Sequence, residues 1–202
     1  LMKKQISLLE DLLKKYSFVL LYLSVFTFCL PKLVIAQEEW ILDKELSSVS
    51  FEVPVLLVDN IKGKFNEIEG IIKINTETKN SKAIFSVNIQ SIETNYKKYN
   101  DLILSSVFFN SKKYSKALLD TKQFKYTKEE GFILNVELII KDKSKMLPLN
   151  VQVKYLTEDI IQVKTKLNFS RKDFNIGTGK WSNSAILKNK VEVKTNLFFF
   201  KN

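Results

Sequence analysis

LPLNVQVKYLTEDIIQVKTKLNF, residues 147–169, decides the fold. Leu147, Leu149, Val151, Val153 and Tyr155 alternate with Pro148, Asn150, Gln152 and Lys154. Ile161, Val163, Thr165, Leu167 and Phe169 then alternate with Gln162, Lys164, Lys166 and Asn168. A period of two sends successive side chains to opposite faces of a strand, so each run has one apolar and one polar face. The short polar link between the runs predicts a hairpin.

The same alternation recurs on both sides. Val49, Phe51, Val53 and Val55 form one apolar face, Ile68, Gly70, Ile72 and Ile74 the next, and Ala83, Phe85, Val87 and Ile89 a third. Phe124 and Tyr126 sit on a short strand ending at the Glu129-Glu130-Gly131 turn; Phe132, Leu134, Val136, Leu138 and Ile140 follow it. Val191, Val193, Thr195, Leu197 and Phe199 close the series. About eight amphipathic strands with short links predict an all-β fold, an eight-stranded antiparallel barrel that closes to remove its edges. A two-sheet sandwich is the alternative. Residues 96–116 break the alternation: Leu102, Leu104, Val107 and Phe108 have helical spacing, which predicts a short helical insert lying over one barrel end.

Composition narrows the function. The chain has no His, and Cys29 is its single Cys. That excludes an intrachain disulfide, Cys/His zinc sites and Ser-His or Cys-His nucleophilic pairs. The net charge of +10 is carried almost wholly by Lys, with Arg171 the only Arg. Specific nucleic-acid readers lean on the bidentate guanidinium, so nucleic acid is not expected. An anionic membrane surface is compatible with a lysine-rich protein.

Residues 1–36 read as a secretory signal peptide. Lys14 and Lys15 precede an apolar run from Tyr16 to Leu30, and Val34-Ile35-Ala36 supplies a small-residue cleavage site after Ala36. Phe28 before Cys29 speaks against a lipoprotein. Residues 37–202 then form one domain in the periplasm.

Two motifs carry little. Gly177-Thr178-Gly179-Lys180 has Phe174 and Trp181 where a phosphate loop needs Gly and Ser or Thr, and reads as a turn. Glu67 and Glu69 share the polar strand face, where nothing moves their pKa values apart for acid–base work. The interior is more informative. A barrel of eight strands is either filled by side chains or holds one small ligand, and Phe51, Phe85, Phe132, Phe169 and Phe199 are large enough to fill it.

Further motifs carry a family resemblance. Trp40-Ile41-Leu42-Asp43 with Ser47-Ser48-Val49-Ser50-Phe51, Gly63-Lys64-Phe65 with Ile68-Glu69-Gly70, and Ser91-Ile92-Glu93-Thr94-Asn95 come in order. Asp101, Leu104, Ser106 and Phe108-Phe109 follow, then Ser170-Arg171-Lys172-Asp173-Phe174-Asn175-Ile176-Gly177. From Trp40 to about Phe199 the chain resembles the YceI-like family of lipid- or polyisoprenoid-binding proteins. It departs at Leu46 and Val55, where the family often has His, and at Asn175, where it has Gly.

The resemblance implies a lipocalin-like periplasmic barrel holding a long apolar lipid, a polyisoprenoid or quinone, with no other cofactor and no metal. Phe51, Val53, Phe85, Val87, Leu134, Val136, Val151, Leu167 and Phe169 would line it, and Phe108, Phe174 and Trp181 would close an end. Arg171, Asn95 and Asp101 are candidates for a head group; Arg171 reads equally well as a surface cation at a strand end. The alternative is a filled barrel that binds envelope proteins through an outer apolar patch at Phe198 and Phe200. An enzyme lacks its usual His and Cys machinery here.

Overall fold

Ten antiparallel strands run through the described part of the unit Ala36–Asn202: β1 (Gln37–Val53), β2 (Ile61–Phe65), β3 (Ile68–Asn75), β4 (Asn80–Asn88), β5 (Ile92–Thr94), β6 (Lys116–Lys125), β7 (Gly131–Ile140), β8 (Lys143–Tyr155), β9 (Ile160–Ser170) and β10 (Lys190–Lys201). The computed structural model describes residues 6, 37–56, 59–125 and 131–202. The signal-peptide reading of residues 1–36 lies outside them apart from Ile6, with Cys29 and the cleavage point after Ala36. Tyr126, Glu129 and Glu130 lie outside them too.

Pairing of β10 with β1 closes the sheet, so the barrel is chosen over the sandwich. The start of β1 pairs with β3, from Gln37↔Asn75 to Ile41↔Ile71, and its end pairs with β2, from Val49↔Phe65 to Val53↔Ile61. β2 and β3 therefore make one interrupted stave, β5 continues beside β2 as β4 does beside β3, and the barrel has eight staves.

A bulge in β1 makes this closure work. Between Asp43↔Phe198 and Ser48↔Asn196, β1 advances five residues while β10 advances two. The odd surplus flips the side-chain parity, so Trp40 and Leu42 face inward before the bulge and Val49, Phe51 and Val53 after it. The Asp43 carboxylate accepts the Glu45 and Leu46 N–H groups, each at 2.9 Å, and Ser47 Oγ accepts the Phe198 N–H at 2.8 Å.

Some expectations shift. β6 begins at Lys116, since Ala117 and Leu119 alternate inward before Phe124. Tyr155, the last residue of β8, is exposed. The helical insert holds one short helix, α1 (Asn100–Leu104), whose buried side chain is Ile103; Leu102 packs half-buried beside it.

The two barrel halves differ. The lower half, which carries the β3–β4 and β8–β9 turns, is packed solid: Val136 and Phe199 have no exposed surface, and Trp40, Ile74, Val151, Ile161 and Val163 are buried around them. The upper half, beneath α1 and the β9–β10 connection, has half-buried inward residues: Phe51, Val53, Phe65, Phe85 and Val87.

Outside, Glu192 sits between Lys166 and Lys194 at 3.0 and 2.9 Å. Hydrogen bonds from these two ammonium groups lower its pKa from 4.5 to about 2. A carboxylate whose pKa is lower in the folded state stabilises the fold above its unfolded pKa and loses that effect as pH falls through the folded one. Urea midpoints should thus fall between pH 4.5 and 2, and Glu192→Gln should flatten part of that decline while changing little at pH 7.

Candidate functional site: a cavity in the upper half of the barrel

A cavity of about 190 Å³ occupies the upper half. β1 contributes Phe51 and Val53, β2 Ile61 and Phe65, β4 Phe85 and Val87, β6 Ala117 and Leu119, and β9 Leu167 and Phe169. Ile103, Phe108 and Phe109 of the helical insert and Leu187 before β10 complete the upper end. The polar members of the lining are Ser86, Thr165, Thr195 and Arg171. Thr165 and Thr195 share one hydrogen bond between their hydroxyls at 2.9 Å.

Two glycines keep this half hollow despite its large residues. The Phe51 ring lies over Gly63 of β2, and the Phe85 ring lies over Gly70 of β3. Each ring covers a strand backbone without a side chain, so it lies against the wall instead of filling the lumen. A Cβ at Gly70 would stand 2.6 and 2.7 Å from two Phe85 ring carbons. The ring must then swing inward, because Phe199 packs against it edge-on at 5.6 Å. Gly70→Ala should keep the fold and shrink the cavity; a crystal structure, or a fall in uptake of an apolar fluorescent probe, checks this.

Among the described residues Arg171 is the one titratable group of the lining, and it is only 1% exposed. The reading as a surface cation is thereby corrected: the first turn after β9 folds the side chain inward. Nε donates to the Lys188 carbonyl at 3.1 Å and Nη2 to the Leu187 carbonyl at 2.8 Å. Nη1 donates to the Ile176 and Gly177 carbonyls at 2.9 and 3.0 Å. Burial pushes its pKa below the ordinary value. Among the described residues it has no carboxylate partner, and one guanidinium N–H is left over.

The backbone is shaped around this group. Gly177 has φ 74°, and a Cβ there would lie 2.8 Å from Arg171 Nη1. Asn175 has φ 51° at the position where the resembling family carries Gly, and Asn tolerates the left-handed region better than most side chains.

Of the expected lining, Phe51, Val53, Phe85, Val87, Phe108, Leu167 and Phe169 face the cavity. Leu134, Val136 and Val151 do not: they point inward but lie in the packed lower half. Phe174 and Trp181 stand behind the lining, Phe174 edge-on to Phe169 at 5.3 Å and Trp181 against Phe108 at 5.8 Å. Asn95 lies outside the cavity, its amide donating to the Asn60 carbonyl at 3.2 Å and accepting the Lys62 N–H at 3.1 Å. Asp101 is exposed in the first turn of α1. Asn95 is held by the Asn60 and Lys62 backbone and Asp101 is exposed, so neither lines the lumen.

Sequence reading missed Ile61, Phe65, Ala117, Leu119 and Leu187. The Ala117, Leu119 alternation was visible; β2 was hidden by its five-residue length. Among the described residues no group of three or more His, Cys, Asp and Glu side chains is placed to hold a metal ion.

Solved structures share the fold. BcnA from Burkholderia cenocepacia is 23% identical with a TM-score of 0.70, over 78% of this chain and 98% of that one. A polyisoprenoid binding domain from Saccharophagus degradans, implicated in plant cell wall breakdown, is 16% identical with a TM-score of 0.66, over 81% and 98%. A YCEI protein from Campylobacter jejuni is 18% identical with a TM-score of 0.58, over 74% and 89%. No curated protein matches the chain. The model of the YceI-like domain matches residues 40–199, from β1 through β10 and on both sides of the cavity, and the chain belongs to that family.

Proposed function

We propose that this protein is exported to the periplasm and binds and carries an isoprenoid-type lipid, a polyisoprenoid or a quinone, by burying part of its chain in the upper half of the barrel. The carrying observation is an apolar cavity whose only charge among the described residues is Arg171. The polyisoprenoid binding domain of the Saccharophagus degradans relative supports the choice of ligand. No cofactor chemistry is invoked; the work is burial.

The cavity sets the amount of chain taken up. A void of about 150 Å³ accommodates benzene, so 190 Å³ suits one or two isoprene units in the form described here. A longer chain is admitted as the wall rings Phe51, Phe65 and Phe85 turn away from the lumen. At about 0.8 kcal/mol per buried CH₂, about ten buried carbons supply about 8 kcal/mol, a micromolar affinity. The remaining Arg171 N–H suits a carbonyl or phosphate oxygen at the polar end, which orients the ligand with its head upward and its tail toward Leu149 and Leu197. Lipid extraction and native mass spectrometry of the protein from the periplasm should return an isoprenoid-type mass. Protein that carries no lipid, or a water-soluble ligand instead, would overturn the proposal.

A second reading, binding of other envelope proteins, draws support from one outer feature. Ile160, Phe200, Ile41, Ile71 and Ile84 are direct cross-strand neighbours along β9, β10, β1, β3 and β4. Phe200 is 36% exposed, and Phe198 is half-buried beside it on the same face. If this row captures a protein, Phe200→Ser should abolish crosslinking to it and leave lipid content unchanged.

A further inference from the structure

We propose that the protein docks end-on to anionic bilayers, inserting the apolar seam Leu56/Ile186 at the upper rim of the barrel. The inference deepens the carrier reading, on which its purpose rests, by naming the face through which lipid is exchanged.

The seam is a built element. Past the end of β1 and before the start of β10, Val55 bridges Leu187, the Leu56 N–H donates to the Ile186 carbonyl at 3.0 Å, and the Lys188 N–H donates to the Pro54 carbonyl at 3.0 Å. In such a pair Val55 and Leu187 face one side and Leu56 and Ile186 the other. Val55 packs on the core and Leu187 lines the cavity. Leu56 and Ile186 point away, 48% and 51% exposed. The outer apolar pair and the cavity wall are therefore two faces of one short ribbon, which Arg171 holds by the Leu187 and Lys188 carbonyls.

Charge selects the occupant. The connections at the upper end, with the short β5, carry Lys97, Lys112, Lys113, Lys141, Lys172, Lys180 and Lys188 against Asp59, Glu93, Asp101, Asp142 and Asp173. Of these acids, Glu93 is already paired with Lys64 at 3.3 Å. The lower connections among the described residues carry Glu77, Glu158 and Asp159 against Lys79. Lys172, Lys180 and Lys188, in the connection that contains the seam, make no ion pair among the described residues. A basic rim around exposed aliphatic side chains matches anionic headgroups above acyl chains, and each lysine at such a surface adds to the attraction.

Flotation with phosphatidylcholine vesicles, and with equimolar phosphatidylcholine and phosphatidylglycerol, tests the docking. All variants share the same N-terminal residues, so any contribution from these cancels. The protein should float with the anionic vesicles only. Lys172→Glu/Lys180→Glu/Lys188→Glu should reduce binding by at least the order of a hundredfold. Lys79→Glu/Lys125→Glu/Lys154→Glu, with the same net charge but altered at the lower end, should bind within about threefold of wild type. Leu56→Ser/Ile186→Ser should lose about tenfold or more.

Equal loss in the two lysine triples, or unchanged binding of the serine pair, would overturn the proposal. Should any variant fold poorly, the two tryptophans decide. Trp181 lies at the upper end and Trp40 in the lower half, so in Trp40→Phe protein brominated phosphatidylglycerol should quench Trp181. Vesicle binding without that quenching also overturns it. Protein that docks but yields no lipid on extraction keeps the docking face and refutes the carrier reading; lipid without docking does the reverse.

Discussion

Arg171→Met should lower the unfolding free energy by about 4 kcal/mol or more. Methionine reaches as far as the Nε position of the side chain and packs acceptably in an apolar wall. It leaves the carbonyls of Ile176, Gly177, Leu187 and Lys188 without the donors that reach them at 2.8–3.1 Å. Each buried acceptor stripped of its partner costs about 1–3 kcal/mol, and a domain of this size has about 5–15 in total. Urea unfolding measures the difference. Arg171→Lys should recover only part of it. An ammonium is a compact donor, whereas these carbonyls lie on two sides of a planar group, the 176–177 turn on one and the seam on the other. If lysine restored full stability, the guanidinium would be serving as a charge and not as a fork. A neutral Arg171→Met would show that water reaches these carbonyls.

The barrel was legible because its staves obey one rule along most of their length. Residues 147–155 and 161–169 each alternate without a break, and β8 and β9 pair in that register, Leu149↔Leu167 through Tyr155↔Ile161. The rule fails where the chain departs from it for a reason. In β1 the inward residues change from even to odd numbers across Asp43–Ser48, which no single period can describe. β2 is short and is held by its neighbours in space more than by its own pattern.

The site was harder to read than the fold. Alternation says which side chains point inward, but not whether the lumen is full. Val136 and Val87 have the same pattern in sequence, yet one is sealed in the lower half and the other lines the cavity. What separates the halves is the pairing of Phe51 with Gly63 and of Phe85 with Gly70 across strands, a relation set by register that stays invisible along the chain. Arg171 shows the same limit. Its place at the end of a strand suggested exposure, and only the return of the chain through Gly177 and Leu187 supplies the carbonyls that let a cation be buried.

Ala117→Phe is expected to abolish lipid binding while raising the stability of the empty barrel. Ala117 pairs with Val87, and both line the cavity at the upper ends of β6 and β4. A phenyl ring there adds about 100 Å³ of side chain, half of the 190 Å³ void. At about 24 cal/mol per Å³ of void removed, the gain is about 2 kcal/mol, provided the ring enters without strain. The midpoint of thermal unfolding should rise by several degrees, while co-purified lipid falls at least about tenfold because about half of the volume that held its chain is filled. The two effects must appear together, since both follow from filling one space. A variant that keeps its lipid would place the ligand elsewhere on the barrel. A variant that loses stability without ever having held lipid would mean that the upper half is closed packing, and that the outer row around Phe200 carries the function instead.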